Sequence, residues 1–341
     1  MTQRQRWRGF RGHRNRTYLV PAMLALTLAA VASGCGSGRA ATATAGSAPK
    51  SSEFTASAAA GVLAAFDHAD SAASAAGDLD ALKLQETTPS LYASTASVHR
   101  AQARQTSQPA FQHMAPTFAI PAAPADCFLA SATLKLVGEE LNLADVSQFV
   151  LVPGSGWKIS HNVQIGSDGV AALRGMNPVA TSSTTAISDQ SRQAIQNEIF
   201  ARTTGSSAAY TVVASNTELD KQLAVGWTFY QKQMSSAGMT VTRSLDKAAW
   251  SDCAARTATG TAAFLTLSST DTITPKHGGP ATASLAPASP DMVSLGETAP
   301  VKGKTVKVSR VDVFLVLVPN TAGTPATVLG LSDAPVSATT S

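Results

Sequence analysis

The run VDVFLVLV at 311–318 constrains this chain more than any other feature. A strand turns alternate side chains to opposite faces. Val311, Val313, Leu315 and Leu317 therefore share one face, and Phe314, Val316 and Val318 share the other. Asp312, near the start, is the one polar interruption. A strand that is apolar on both sides has to be central and covered twice. The expected cover on one side is a helix at 216–236, through Leu223, Trp227 and Tyr230. The reverse is expected to meet another unit of the chain or a loop.

The rest of the chain alternates between two periods. At 53–77, Phe54, Ala58, Val62 and Phe66 recur at steps of four, which predicts an amphipathic helix stopped by Gly77. A second helix is predicted at 80–106, through Leu82, Leu84, Leu91 and Val98, with a break near 88–90 at Pro89. Four prolines make 109–126 extended. Strands follow at 127–137, where Phe128, Ala130, Ala132, Leu134 and Leu136 share a face, and at 147–152. At 157–165 Trp157, Ile159, His161, Val163 and Ile165 fall on one side, with 153–156 as the preceding turn.

The order then repeats. Helices are predicted at 187–202 and 216–236, the second opened by a capping box from Ser215 to Glu218. Strand-like runs follow at 239–243, 262–268, 292–297, 304–318 and 326–331, with 275–290 as an exposed low-complexity loop. Helix, helix, then strands, twice over, predicts an α+β fold. Two consecutive helix-helix-antiparallel-sheet units are expected at 53–175 and 185–335, with a boundary near 170–185. One continuous sheet is the alternative.

The amino terminus reads differently. Residues 1–16 are Arg-rich, 18–32 are apolar, and Ala32-Ser33-Gly34-Cys35 follows. Fifteen apolar residues are short for a span of roughly 20 and fit a signal-peptide core. No arginine pair adjoins it, which favours the general secretory route. Residues 35–52, rich in Gly, Ser, Ala and Thr, read as a flexible tether. Removal of 1–34 takes six arginines and no acid, so Lys+Arg falls from 26 to 20 against 22 Asp+Glu. The mature chain is then near −2, which leaves no basic surface for nucleic acid. With 14% charged and 6% aromatic residues, the chain is neither a coiled coil nor an acidic disordered tail.

Ala32-Ser33-Gly34-Cys35 resembles the lipobox of bacterial lipoproteins. The resemblance implies cleavage after Gly34, a diacylglycerol on the Cys35 sulfur and a palmitate-type chain on the freed amine. It also implies anchoring at the extracytoplasmic face of the cell membrane. Cys127 and Cys253 are then the two remaining thiols of an exported chain. In an oxidising compartment they are expected to pair, although two buried reduced cysteines would also fit. The bond would close a loop of about 127 residues, worth roughly 4–5 kcal/mol by chain entropy.

The helix pair at 62–91, the Pro-rich passage into CFLASATLKL, and FVLVPGSGWKI are similar to an actinobacterial lipoprotein family, domain of unknown function 8094. Phe66, Asp80, Leu84, Glu86, Phe128 and Trp157 carry the resemblance, over roughly 53–330. The layout also resembles cystatin-like or nuclear-transport-factor-like cones, in which a helix lies in a curved antiparallel sheet. Neither resemblance implies catalytic residues or a cofactor. Cys127 stands where the family pattern has a larger aromatic or aliphatic residue.

Chemical motifs are sparse. Gly154-Ser155-Gly156 is one residue short of a nucleophile elbow, and His277-Gly278-Gly279 lies between prolines. Asp67-His68-Ala69-Asp70 could offer metal ligands at i and i+3, but reads better as a solvated face. Asp78-Leu79-Asp80 reads as a helix cap and Glu139-Glu140 as a turn pair. Trp227 and Tyr230 read as core. His161 beside Trp157 is the candidate pocket lining. No zinc spacing, phosphate loop or cofactor motif is present. The expectation is a non-enzymatic binding or scaffolding module, lipid-anchored at Cys35, whose partner is an envelope protein, wall component or small ligand. The alternative is the solute-binding lipoprotein of an importer, which would need alternating strand-helix-strand units.

Overall fold

A computed structural model describes residues 54–121, 125–137, 142–178, 187–205, 211–215 and 217–341. The expected signal, lipobox and tether at 1–52 lie outside these residues, as do Glu139-Glu140 and the Glu218 side chain of the expected capping box. Part of the expected boundary, 179–186, lies outside them too.

Three helices open the described chain: α1 (Ala56–Ala76), α2 (Leu79–Gln85) and α3 (Ser90–Ala103). Thr55 caps α1 by accepting from the Ala58 N–H, and Gly77 ends it in the left-handed conformation at φ 67°. The Asp78 carboxylate then accepts from the Asp80 and Ala81 N–H groups and starts α2, as the cap reading expected. An antiparallel meander follows: β1 (Phe111–Ala119), β2 (Cys127–Leu136), β3 (Asn142–Val152) and β4 (Gly156–Ile165). Pro116 sits in β1 at a bulge between Met114 and Thr117, on the edge of the sheet, where a missing N–H is tolerated.

Short elements α4 (Ser167–Ala172) and β5 (Asn177–Pro178) lead to helices α5 (Asp189–Thr203) and α6 (Thr217–Ser236). Then come β6 (Met239–Arg256), β7 (Gly260–Pro275), β8 (Ala283–Leu285), α7 (Pro290–Leu295), β9 (Val301–Gly303), β10 (Val306–Pro319) and β11 (Thr327–Thr340). Two expectations are corrected here. The run at 292–297 lies largely in helix α7, because Pro290 opens a helical turn and Gly296 closes it at φ 73°. The loop expected at 275–290 contains β8, which pairs with β9 and buries Ala283 and Leu285.

All main strands join one antiparallel sheet, in the order β1-β2-β3-β4-β11-β10-β7-β6-β5. The seam between β4 and β11 is a single pair, Ile165 with Gly330. A Cβ at 330 would collide with the Gln164 carbonyl oxygen, so glycine permits this approach. The sheet curls until the inner face of β2–β4 meets that of β6, β7 and β10. Leu129, Val146 and Val163 share a buried cluster there with Ala255, Phe264, Val313 and Leu315. A Cys127–Cys253 disulfide joins β2 to β6 across this interface, with Cα atoms 6.1 Å apart.

Helices cover the outer faces. Leu63 and Phe66 of α1 pack on Phe128, Phe149 and Ile159, and the Phe128 and Phe149 rings stack with centroids 4.7 Å apart. Ile195 and Ile199 of α5 pack on Leu265, Phe314 and Val316. Strand β10 is therefore interior and covered twice, as its sequence requires. The helix over Phe314 and Val316 is α5, however, and among the described side chains α6 adds Leu223. Trp227 and Met234 of α6 cover Val306 and Val308 instead. A fourteen-residue strand at about 3.3 Å per residue is too long for one helix to cover. Among the described residues no helix is long and apolar enough to cross a membrane.

Candidate functional site

The site grows from two acids on one face of α1. Asp67 and Asp70 are spaced i, i+3, beside the core residue Phe66. The expectation of a solvated face is corrected: both carboxylates are buried, because edge strand β1 packs along α1. His68, between them, is exposed. Ser71 ties the pair of elements together. Its hydroxyl donates to the Phe111 carbonyl at 3.0 Å and accepts from the Phe111 N–H at 2.9 Å.

Two residues along β1, His113 takes up the first carboxylate. Its backbone N–H donates to Asp67 Oδ2 at 2.8 Å, and its Nδ1 lies 2.5 Å from Asp67 Oδ1. The opposite ring nitrogen, Nε2, lies 2.7 Å from Asp145 Oδ2 on β3. Asp145 also accepts from Ser147 Oγ at 3.0 Å and from Asn162 Nδ2 at 2.9 Å. A ring flanked by two carboxylates donates from both nitrogens, which makes it an imidazolium. Burial opposes that charge, but the hydrogen bonds and charges of Asp145 and Asp67 outweigh burial and push the pKa up to about 9.

The second carboxylate faces a cavity of about 420 Å³ between α1, α3 and the outer face of the sheet. Phe66, Phe111, Leu134 and Ile159 form its apolar walls, and Ser90, Ser94, Asn162 and Gln164 add polar groups. Glu86 enters from the break between α2 and α3. It is held there by a parallel bridge to Ile159, and the Thr87 N–H donates to the Ile159 carbonyl at 2.8 Å. Asp70 and Glu86 therefore meet in a buried pair. Burial, then the charge of Glu86, raises Asp70 to about 8. Burial also raises Glu86, against hydrogen bonds with Ser94, Asp70 and Ser90. Two carboxyls this close ionise reluctantly together, so near neutral pH they share a proton. Asp70 Oδ1 and Glu86 Oε2 are buried without a hydrogen-bond partner.

The expected pocket residues are elsewhere. An extra residue at Ser160 shifts the β3–β4 register, so that Gln148 faces His161 and Phe149 faces Ile159. The bulge divides the run that was expected on a single face. Trp157 turns outward into the α1 cluster, 4.6 Å from Phe54 and 5.1 Å from Phe128 between ring centroids. His161 turns inward and stacks on Phe264 at 5.0 Å. Burial lowers its pKa to about 4, so it is a neutral core histidine. Neither residue lines the cavity. Trp227 and Tyr230 lie on α6 and pack in the cluster around Val306 and Val308, as the core reading expected.

His113 and Asp145 carry no sequence motif. The available signals are weak ones. Asp67 and Asp70 adjoin the apolar stripe of α1, and His113 follows Phe111 by two in a strand, so the two share a face. Among the described residues no group of three or more His, Cys, Asp or Glu is arranged to hold a metal ion. Comparison with protein-family models, with curated proteins and with solved structures finds nothing that matches.

Proposed function

We propose that this chain is a lipid-anchored binding module at the extracytoplasmic face of the cell membrane, and that its α1–α3 cavity takes a small ligand rich in hydrogen-bond donors. The observation that carries the reading is the buried Asp70–Glu86 pair lining a cavity of about 420 Å³. That volume lies in the range of small-molecule sites. Aromatic walls from Phe66 and Phe111 beside carboxyl, hydroxyl and amide groups suit a hydroxylated ring such as a wall saccharide unit. The membership in the domain of unknown function 8094 family, the two cystatin-like units at 53–175 and 185–335, and the signal at 1–34 with tether at 35–52 belong to the same proposal. Helices over an antiparallel meander in each half support it, and the strand pairings among the described residues of the sheet are antiparallel, unlike the alternating strand-helix-strand units an importer's solute-binding protein would need.

A thermal-shift series with monosaccharides, disaccharides and amino sugars tests the cavity. At least one compound is expected to raise the melting temperature of the wild type. Saturation at 100 times Kd adds about 2.7 kcal/mol. Glu86→Gln is expected to lose most of that shift. A ligand shift that is equal in the wild type and Glu86→Gln would overturn the site, as would the absence of any shift.

The anchor has its own test. Cys35→Ala is expected to leave an uncleaved precursor or to release protein into the medium. A variant that still enters the detergent phase at the mature mass would overturn lipidation at Cys35.

A further inference from the structure

A second cavity, of about 320 Å³, lies between α6 and strands β10 and β11. Leu223, Trp227, Tyr230 and Leu331 form apolar walls, and the floor is charged. The two guanidiniums in it, Arg243 and Arg310, hold three carboxylates, of which Asp291 and Asp333 line the cavity and Asp271 does not. Arg243 binds Asp271 twice, Nε to Oδ1 at 2.6 Å and Nη2 to Oδ2 at 2.9 Å, and lies 4.8 Å from the Trp227 ring. Arg310 binds Asp291 at 2.5 Å and Asp333 at 3.1 Å.

A fourth carboxylate, Asp312, lines the same cavity. It is 5% exposed, and its Oδ2 has no hydrogen-bond partner. Burial raises its pKa to about 6, against the pull of Arg243, so it carries charge at neutral pH. Of the groups that line the cavity, three carboxylates (Asp291, Asp312 and Asp333) face two guanidiniums (Arg243 and Arg310), which leaves the floor at −1. A buried carboxylate oxygen without a donor costs free energy that a bound N–H donor would recover. The walls supply what an apolar body needs, and the face of an aromatic ring favours a nearby cation.

We infer that this cavity binds an amine: an ammonium on an apolar or aromatic body, donating to Asp312 with its body against Leu223, Tyr230 and Leu331. Asp333 lines both this cavity and the α1–α3 cavity, but Asp312 and the α6 walls line this one and not that one.

The test uses the full chain in detergent, titrated calorimetrically at neutral pH with 2-phenylethylamine. The uncharged 2-phenylethanol is the control. The amine is expected to bind saturably and the alcohol at least about 10-fold more weakly, the size of one charge-assisted hydrogen bond. Asp312→Asn is expected to weaken the amine by a similar factor. Gly226→Trp is the second variant. Gly226 lines the cavity on α6, and a Cβ there meets nothing within 4 Å. An indole at that point is expected to fill the cavity and abolish binding while the melting temperature is kept. Failure of the wild type to bind the amine, equal affinity for amine and alcohol, or undiminished binding by Gly226→Trp would overturn the inference.

Discussion

Leu315→Asp is expected to abolish the folded state. Leu315 has no exposed surface and shares its cluster with Leu129, Val163 and Phe264, at the interface where the curled sheet meets itself. Its neighbours on β7 and β11, Phe264 and Gly330, offer no charge to pair with. An unpaired carboxylate there costs several kcal/mol, against about 5–15 kcal/mol for the stability of a whole domain. Leu315→Met, which nearly conserves volume, should cost under about 1.5 kcal/mol and serves as the control. Thermal melting followed by near-ultraviolet circular dichroism measures both. A Leu315→Asp protein that melts at the wild-type temperature would show that the two inner faces do not pack together.

The second large effect is expected from His113→Ala. The ring is the cation between Asp67 and Asp145, and the substitution leaves two buried carboxylates without it. Breaking a buried pair in this way costs about 3–5 kcal/mol. The loss depends on pH in a defined direction. His113 has an ordinary pKa of 6.5 and a folded value of about 9. Its stabilisation is fully present below 6.5 and is lost as pH rises through 9. Asp70 acts in the same sense. Its folded value of about 8 lies above the ordinary 3.8, so its protonated form is favoured by folding and stability falls as pH rises through 8. The wild type should therefore weaken steadily toward alkaline pH. The gap between wild type and His113→Ala should narrow from about pH 7 to about pH 10. A gap that is constant over this range would mean that the ring is neutral when folded.

Sequence alone determined the local elements. The four-residue steps of 53–77 became α1, the helix predicted at 187–202 became α5, and the alternation of 127–137 became β2. The two-sided apolar run at 311–318 had to be an interior strand, and Cys127 and Cys253 formed a disulfide. These outcomes depend on neighbours a few residues apart, which the side-chain periods 3.6 and 2.0 record directly. The site was not legible in that way. His113 lies 46 residues from Asp67 and 32 from Asp145, so nothing in the local pattern distinguishes their carboxylates from solvated ones. The tertiary structure also decided which helix covers Phe314, and it moved His161 and Trp157 to opposite faces through a single inserted residue at Ser160. The physical reason is the same in each case. Burial is set by whichever distant element arrives to exclude water, and one added residue in a strand inverts every side chain beyond it.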